Sequence, residues 1–445
     1  MIEGLPDAVR AAGWARLLPA HRLDGADQPI GPARCVGALE VSERTAVIVV
    51  CDDRGRTYPV PSVLERDTAG RVTRARRALP GDGAAEALVG LFADGAPSPR
   101  TDRFRLSRWH HRDAVGERAI PVDQTNESVI VGEQAVLKWS VTADAGPHPA
   151  PSLLARLNAS GFTGMPLPWG ALEWRPEPDA APRLLALAVD YLPGAVDGWT
   201  WAVDDIRATV LTGDPAATAH TGAQIGALVA GFHRALAGTA RPADEGEAQS
   251  WRDDALADLD QALALTSGAA HAQLAAAEPE VRRRLGAIPT QGTVVMRVHG
   301  DLHVGQVLAV RPDADAPAGT AGTSYTLTDF DGNPVVDPER RTDLQPAALD
   351  VAGMAQSFVH AGLVVARHHP ELDRAAVLAA ADHLRSAFLD SYRRASGTPG
   401  ALLDERLLVP FALRQVCREF SYAATALPRW SYVPEAALPM LLDTV

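Results

Sequence analysis

A single segment, VHGDLHVGQVL at residues 298–308, limits the folds open to this chain more than any other stretch. Its apolar, β-branched ends predict two short strands, and the glycines and polar residues between them predict a tight loop. Within the loop, Asp301 precedes Gln306 by five residues. Two polar side chains fixed in one loop between strands favour a site that carries chemistry. The alternative is a polar hairpin in which the two side chains only cap local backbone groups.

A second polar segment, TDFDGNP at residues 328–334, follows another short predicted strand. In an extended segment, residues two apart point to the same side, so Asp329 and Asp331 can both face one hard cation, which prefers carboxylate oxygens. Alone, the segment also fits a common Asp-Gly turn. Protein kinases, however, combine a catalytic Asp, a carboxamide five residues later and a magnesium-binding Asp-Phe-Gly. Asp301, Gln306 and Asp329 have these chemical types in the same order.

One lysine, Lys138, stands among 42 basic residues, and all the others are arginines. It lies in VLKW, within a strand predicted at Ala135–Trp139. One interpretation is an accident of an Arg-rich composition that leaves a solvated strand lysine. The other is a place where a compact ammonium group pairs with phosphate and a planar guanidinium cannot replace it. Kinases carry a phosphate-pairing lysine on such a strand, which favours the second interpretation.

The composition excludes several classes of protein. A net charge of −13 argues against a general nucleic-acid binder, whose surface is basic. Three cysteines with no CxxC spacing indicate neither a disulfide framework nor a cysteine zinc site. The acidic start MIEGLPDAVR does not resemble a signal peptide, and no apolar run approaches the roughly 20 residues of a membrane span. We therefore expect a cytoplasmic protein with no nucleic acid, membrane or protein partner indicated.

Hydrophobic periodicity predicts an α+β chain in three parts. Residues 1–95 form a small α+β unit, residues 96–192 a strand-rich unit that ends near Pro193-Gly194, and residues 193–445 a mainly helical unit. The predicted strands are Ala46–Cys51, Thr57–Val60, Ser128–Val131, Ala135–Trp139, Leu184–Val189, Thr293–Val298, Val304–Val310 and Tyr325–Thr328. The predicted helices are Ala84–Phe92, Ser152–Asn158, Ala223–Leu236, Trp251–Leu265, Ala347–Val365, Ala375–Tyr392 and Leu402–Ala426.

Together these motifs resemble the aminoglycoside-phosphotransferase-like kinases, and within them the maltokinase-like group. The resemblance spans roughly residues 120–430. It is carried by QTNES with VLKW, ALAVDYLPGAVDGW (186–199), HGDLHVGQVL, TDFDGNP, LDVAGM (349–354) and the late helix Gln415–Tyr422. Gln306, where most of the wider superfamily has Asn, points to the maltokinase-like branch, and that branch carries an N-terminal cap domain. The resemblance implies a bilobal, protein-kinase-like fold with a cap at 1–95, a nucleotide-binding lobe with its hinge at 96–192 and a helical lobe at 193–445.

The same resemblance implies ATP and Mg²⁺ as cofactors and transfer of the γ-phosphoryl group to a sugar hydroxyl. It makes Asp301 the catalytic base. The other implied residues are Lys138, Gln124 and Ser128 for the nucleotide phosphates, Ala188, Val189, Asp190 and Tyr191 for adenine, and Gln306, Asp329 and Asp331 for the metal. Two expected parts are absent: a glycine-rich phosphate loop, and an acidic residue on helix 152–158 to pair with Lys138.

The late helix suggests the acceptor. Gln415, Glu419 and Tyr422 share one helical face by their i, i+4, i+7 spacing, although a solvated amphipathic stripe has the same spacing. Maltokinases carry Lys-x-x-x-Glu-x-x-Tyr-Glu on the corresponding helix, whereas this chain has Gln415 and Ala423. A neutral Gln does not repel a cationic sugar, and Glu419 is free to pair with an ammonium group.

Proteins of this group with Gln at that place resemble glucosamine kinases. The expected acceptor is therefore glucosamine, phosphorylated at its 6-hydroxyl. The predicted substrate residues also include Asp301, His303, Asp350 and Trp430; the alternatives are an N-cap role for Asp350 and simple packing for Trp430. Two other functions stay open at this point: a kinase for maltose or an aminoglycoside, and a catalytically silent nucleotide-binding module.

Overall fold

The computed structural model describes residues 2, 4–13, 17, 33–93, 103–120, 127–289, 291–311, 322–397 and 402–443. The chain divides into two compact units. Unit 1 comprises residues 1–158, 166–193 and 334–342, and unit 2 comprises residues 159–165, 194–333 and 343–445. Both fit the predicted α+β class, because unit 1 is rich in strands and unit 2 in helices. The domain limits predicted at residues 95 and 192 stay predictions.

Unit 1 contains two antiparallel sheets. Its elements in chain order are α1 (Leu5–Ala12), β1 (Arg34–Glu40), β2 (Thr45–Cys51), β3 (Thr57–Arg66), β4 (Val72–Arg77), α2 (Ala84–Gly90), β5 (Phe104–Arg108), β6 (Glu117–Ala119), β7 (Glu127–Val131), β8 (Ala135–Trp139), α3 (Pro149–Ala159), β9 (Pro168–Trp174) and β10 (Arg183–Asp190). The first sheet has the order β1-β2-β3-β4, and the second has the order β5-β9-β10-β8-β7-β6.

Strand β2 explains why the run TAVIVVC is apolar throughout rather than alternating. Val47 and Val49 belong to a hydrophobic core that also contains Val131, Leu137 and Trp169 of the second sheet. The intervening side chains of β2 belong to a separate core with α1. A strand that is buried on both faces reads as a continuous hydrophobic run. The segments predicted as a cap and as a nucleotide-binding lobe therefore share one core.

The β7–β8 hairpin was predicted correctly, and it positions the lone lysine. Val131 pairs with Ala135, and the turn between them has left-handed backbone at Gly132 and Glu133, with φ of 59° and 53°. A Cβ at Gly132 would lie 2.6 Å from the Cα of Ala114, so only glycine fits there. The register that follows places Lys138 opposite Ser128 on β7 and opposite Leu187 on β10.

Unit 2 is mainly helical. Its elements are α4 (Gly198–Thr212), α5 (Ala216–Leu236), β11 (Arg241–Pro242), α6 (Glu245–Leu265), α7 (Gly268–Gly286), β12 (Val294–Val295), β13 (Val307–Val310), β14 (Ser324–Leu327), α8 (Ala348–His368), α9 (Arg374–Ala395), α10 (Leu408–Thr425) and α11 (Tyr432–Leu442). Helix α8 is long and apolar enough to cross a membrane, yet 78% of its most apolar window is buried within the structure. We therefore interpret α8 as a buried core helix of this unit.

Two of the predicted strands are shorter than expected. Only Val294–Val295 of the strand predicted at 293–298 is a strand. At residues 304–306 the chain forms a single 3₁₀ turn, and β13 begins at Val307. The cause is local: the Nδ1 atom of His303 accepts a hydrogen bond from the N–H of Gly305 at 3.0 Å and caps the turn. The sequence patterns did not predict α1, α4, α7, α11, β1, β4, β5, β6, β9 or β11.

Candidate active site

The backbone before Asp301 is fixed by a buried carboxylate. The Asp350 side chain, on the first turn of α8, accepts hydrogen bonds from the N–H groups of His299 at 2.7 Å and Gly300 at 2.9 Å. Gly300 has a φ of 84°, a left-handed conformation that favours glycine. The loop therefore turns tightly just before Asp301, and two of its N–H groups are tied to a helix in the core of unit 2.

A second contact holds Asp350 itself. The Nε2 atom of His233 on α5 lies 3.0 Å from its carboxylate, and the Nδ1 atom of His233 lies 2.8 Å from the hydroxyl of Tyr392 on α9. Although burial alone would raise the pKa of Asp350, the hydrogen bond from His233 and the nearby imidazoles hold it below its usual value. Asp350 is 0% exposed. Its carboxylate thus holds the loop in place, and its predicted contact with the sugar stays a prediction. The N-cap of α8 is Ala347 rather than Asp350.

Replacing Asp350 with alanine is expected to destabilise the protein by about 3–5 kcal/mol, because it leaves two buried N–H groups and an imidazole without their acceptor. Urea unfolding followed by circular dichroism would measure the loss. The matched control is Asp382→Ala on α9, whose exposed carboxylate pairs with Arg385 on the same helix and should contribute less than about 1 kcal/mol. Equal unfolding free energies for the two variants would contradict the positioning role.

The Asp301 carboxylate is half-buried and has a defined partner. Its Oδ1 atom accepts a hydrogen bond from the side-chain amide of Asn333 at 3.0 Å, and the amide oxygen of Asn333 accepts one from Arg418 on α10 at 3.0 Å. Burial raises the pKa of Asp301 to about 6; the charges of Asp329 and Asp350 add to this, whereas His299 and Arg418 oppose it. Asp301 therefore lies among groups of both signs.

The β13–β14 hairpin brings the predicted metal ligands together with the loop. The N–H of Thr328 donates to the backbone carbonyl of Gln306 at 2.9 Å, and Nε2 of His299 donates to the carbonyl of Thr328 at 2.9 Å. Asp329 follows with a φ of 60°, which is uncommon for a residue other than glycine. Gln306 and Asp329 thus flank the same backbone contact, next to the loop of Asp301.

These side chains fit a magnesium ion. Gln306 is only 9% exposed, and its carboxamide supplies an oxygen donor. Asp329 and Asp331 add carboxylate oxygens, the donors that Mg²⁺ prefers. Among the described residues, no group of three or more His, Cys, Asp or Glu side chains could hold a metal ion. Mg²⁺ does not need such a cage, because in kinases it is held by one or two protein ligands, substrate phosphates and water.

The residues predicted to bind the sugar lie on α10. The amide of Gln415 donates to the carboxylate of Glu419 at 3.1 Å, and the other carboxylate oxygen of Glu419 lies 3.2 Å from Nε2 of His360 on α8. Burial raises the pKa of Glu419 to about 8 and lowers the pKa of His360 to about 3, so the pair is largely uncharged near pH 7. Tyr422, one turn farther along, is exposed.

Aromatic rings form a second group in unit 2. Trp199 at the start of α4 lies 6.1 Å from the ring of His303 and 6.2 Å from the ring of Trp430. Burial lowers the pKa of His303 to about 4, so this ring is neutral near pH 7. The structure therefore brings together two of the predicted substrate residues, His303 and Trp430, through a tryptophan that sequence analysis had only quoted within a longer motif.

Three further residues of the site, His233, Asn333 and Arg418, were not predicted from the sequence. For Asn333 and Arg418 a signal was present, because both stand within segments that had been singled out: Asn333 inside TDFDGNP and Arg418 between Gln415 and Glu419. For His233 no motif exists, since its partner Asp350 lies 117 residues away.

In unit 1, the predicted nucleotide residues lie on neighbouring strands. Lys138 and Ser128 are cross-strand partners, whereas Gln124 lies outside the described residues. The predicted hinge stays a prediction. Ala188 and Val189 are inside β10, which is paired on both sides, and the N–H groups of Asp190 and Tyr191 already donate to the carbonyls of Leu167 and Gln134, each at 2.8 Å. Those N–H groups are thus occupied, and adenine would have to be recognised by carbonyl groups or by residues farther along.

Comparison with known proteins gives close relatives. No family model matches the chain. A protein named glucosamine kinase from Mycolicibacterium smegmatis is 45% identical over 379 residues, which cover 83% of this chain and 90% of that protein. A protein of the same name from Streptacidiphilus jiangxiensis is 42% identical over an alignment of 454 positions that covers 99% of both chains. The similarity therefore extends through both units.

The comparison with solved structures also finds glucosamine kinases. A glucosamine kinase in complex with glucosamine, ADP and inorganic phosphate matches with a TM-score of 0.81 at 38% sequence identity and covers 100% of both chains. A second structure, glucosamine kinase in crystal form B, matches with a TM-score of 0.82 at 38% identity and covers 98% of this chain and 99% of that one. These matches confirm the predicted kinase-like α+β fold class.

Proposed function

Because this chain belongs to the glucosamine kinase family, we propose that it transfers the γ-phosphoryl group of ATP to the 6-hydroxyl of D-glucosamine. ATP-dependent phosphorylation of glucosamine is the activity of this family; the 6-position is the further step. The observation that supports the 6-position is the arrangement of side chains on α10. One helix holds Glu419 and Arg418. The carboxyl group of Glu419 would ionise when an ammonium group binds beside it, because an opposite charge lowers its pKa, and Arg418 reaches the Asp301 loop through Asn333.

Ring geometry supports the 6-position. In a glucosamine ring, the carbon that bears the amino group and the carbon that bears the hydroxymethyl group lie opposite each other. A sugar with its ammonium group at Glu419 would therefore present its primary hydroxyl on the far side, toward Asp301. The test is product analysis by phosphorus–proton correlation spectroscopy after incubation with ATP and glucosamine. Phosphate on another oxygen would contradict the 6-position, and turnover of maltose or an aminoglycoside in preference to glucosamine would contradict the acceptor.

In this mechanism, Asp301 orients the hydroxyl and accepts its proton, while Asp350 and Asn333 hold the loop and the carboxylate in place. Alignment and charge neutralisation supply most of the rate in phosphoryl transfer. We propose Lys138 and Ser128 as phosphate-side residues and Gln306, Asp329 and Asp331 as ligands of Mg²⁺. When bound, Mg²⁺ would neutralise the charge of the triphosphate.

We also propose that the protein is cytoplasmic and that it has no macromolecular partner. The three cysteines, Cys35, Cys51 and Cys417, are all free thiols, which supports the proposed cytoplasmic location. Small-molecule substrates are the only proposed partners. Both proposals would be tested by fractionating cells that produce the native protein at its natural level and identifying any copurifying macromolecule.

Lys138→Arg is expected to impair the use of ATP although it preserves the charge. Pairing with phosphate by a compact ammonium is worth about 1.5–3 kcal/mol, so we expect a loss of roughly 10- to 100-fold in kcat/KM for ATP, since the guanidinium is larger and planar. Lys138→Met, which keeps the length and removes the charge, is the matched comparison and should lose at least as much. Unchanged kinetics of Lys138→Arg would favour the interpretation as a compositional accident.

Gln415→Lys tests whether the acceptor site senses charge. The new ammonium would lie beside Glu419, compete for its carboxylate and repel a bound amino sugar by about 4 kcal/mol at ~4 Å before relaxation. Even about a third of that energy is tenfold, so kcat/KM for glucosamine should fall roughly tenfold more than for glucose. The difference should shrink in high salt. Gln415→Met, of similar length and no charge, is the control, and an equal fall for both sugars in Gln415→Lys would remove the charge argument.

A further inference from the structure

A chain of two hydrogen bonds joins the sugar-binding helix to the proposed base. Arg418 of α10 donates to Asn333, and Asn333 donates to Asp301, with both distances at 3.0 Å. We propose that Asn333 and Arg418 are positioning residues: Asn333 holds the Asp301 carboxylate in the orientation needed to receive the acceptor hydroxyl, and Arg418 fixes Asn333. This inference rests on the proposed role of Asp301 as the base.

The chemistry of the three groups allows one arrangement of the central amide. An arginine side chain has donors and no acceptor, and an ionised aspartate has acceptors and no donor. The amide of Asn333 must therefore turn its oxygen to Arg418 and its nitrogen to Asp301. A reversed amide would lose both hydrogen bonds and bring like groups together. Arg418 thus selects the amide orientation in which Asn333 can donate to the base.

The surroundings of Arg418 make it suitable for this task. Its guanidinium is largely buried, and Asp258, Asp301 and Glu419 are the carboxylates that face it, together with the cation of Arg414. Among the described residues, its one hydrogen bond is the bond to Asn333. Arg414, one turn earlier on α10, is instead engaged by Asp258 at 2.7 Å and by Asp254 at 3.5 Å. Asp258 therefore forms its hydrogen bond with Arg414, whereas Arg418 forms its hydrogen bond with Asn333.

The geometry divides the two oxygens of Asp301 between two tasks. Oδ1 accepts from Asn333, so the acceptor hydroxyl is expected to meet Oδ2. The neighbours of Arg418 on the same helix are Glu419 and, one turn back, Gln415, the residues proposed to hold the amino sugar. The hydrogen-bond chain therefore starts at a residue that lies between Gln415 and Glu419 in the sequence of α10 and ends at the proposed base.

The test is a double-mutant cycle with Asn333→Ala and Arg418→Met. Misorientation of a catalytic group by about 1 Å can cost roughly 100-fold, so each single variant should lose roughly 10- to 100-fold in kcat, with KM for both substrates changed less than about threefold. Because Arg418 acts through Asn333, the double variant should be no worse than Asn333→Ala. Arg418→Lys, which keeps a cationic donor, should recover part of the loss.

Arg414→Met is the matched control on the same helix, and its kcat should stay near that of the wild type. Thermal unfolding of every variant shows whether the fold is intact. Additive losses in the double variant, or an unchanged kcat in a folded Asn333→Ala variant, would overturn the inference. All variants are assayed with whichever sugar the wild type phosphorylates, so a wrong acceptor would contradict the proposed function and still leave the cycle to decide on Asn333 and Arg418.

Discussion

Asp301→Asn is expected to lower kcat by roughly 10²–10⁴-fold, the usual contribution of a general base, while the fold and nucleotide binding are retained. The substitution removes the proton acceptor and little else. The carbonyl oxygen of the introduced amide can still accept from Asn333, and the backbone of the loop stays tied to Asp350. Turnover is measured by ADP release in the presence of glucosamine, and ADP affinity by calorimetry.

The control for this variant is Asp382→Asn on the surface of α9, which should have normal kinetics because Asp382 is exposed and pairs with Arg385 on the same helix. A pure Asp301→Asn protein that turns over at nearly the rate of the wild type would remove Asp301 from its role. A loss of ADP affinity together with a lower unfolding temperature would instead indicate structural damage.

Removal of divalent metal is expected to abolish activity altogether. Gln306, Asp329 and Asp331 supply oxygen donors, without the His or Cys ligands that zinc prefers, so the activity should vanish in excess EDTA and return with Mg²⁺ or Mn²⁺. The unfolding temperature of the protein without nucleotide should not change, because no described group of His, Cys, Asp and Glu forms a structural metal site. Full activity in EDTA would contradict the phosphoryl-transfer mechanism.

Local patterns predicted those parts of the fold that local chemistry determines. The β7–β8 hairpin follows from two β-branched runs around Gly132-Glu133, and strand β10 follows from a continuous apolar run. The segment at residues 304–306 was predicted as strand because its valines favour a strand. It forms a 3₁₀ turn because the side chain of His303 accepts a hydrogen bond from the N–H of Gly305. Apolar periodicity alone does not report such a cap.

The candidate site was predicted in part. Motif spacing located Asp301, Gln306, Asp329 and the face of α10, because these residues sit in short segments with characteristic chemistry. The task of Asp350 could not be derived in the same way. Its partners are the loop N–H group of His299, 51 residues away, and His233, 117 residues away. Only the packing of α5, α8 and the loop brings these groups together.

The left-handed backbone of Asp329 has a consequence for the stability of the whole protein. At a φ of 60° an aspartate is less favourable than glycine by about 1–2 kcal/mol, and every folded molecule bears this cost whether or not it is turning over. A search for stabilising substitutions would therefore select glycine at position 329 and lose a proposed metal ligand. At this residue, the sequence that folds most stably and the sequence that works are different, so thermostability and activity would have to be engineered against each other.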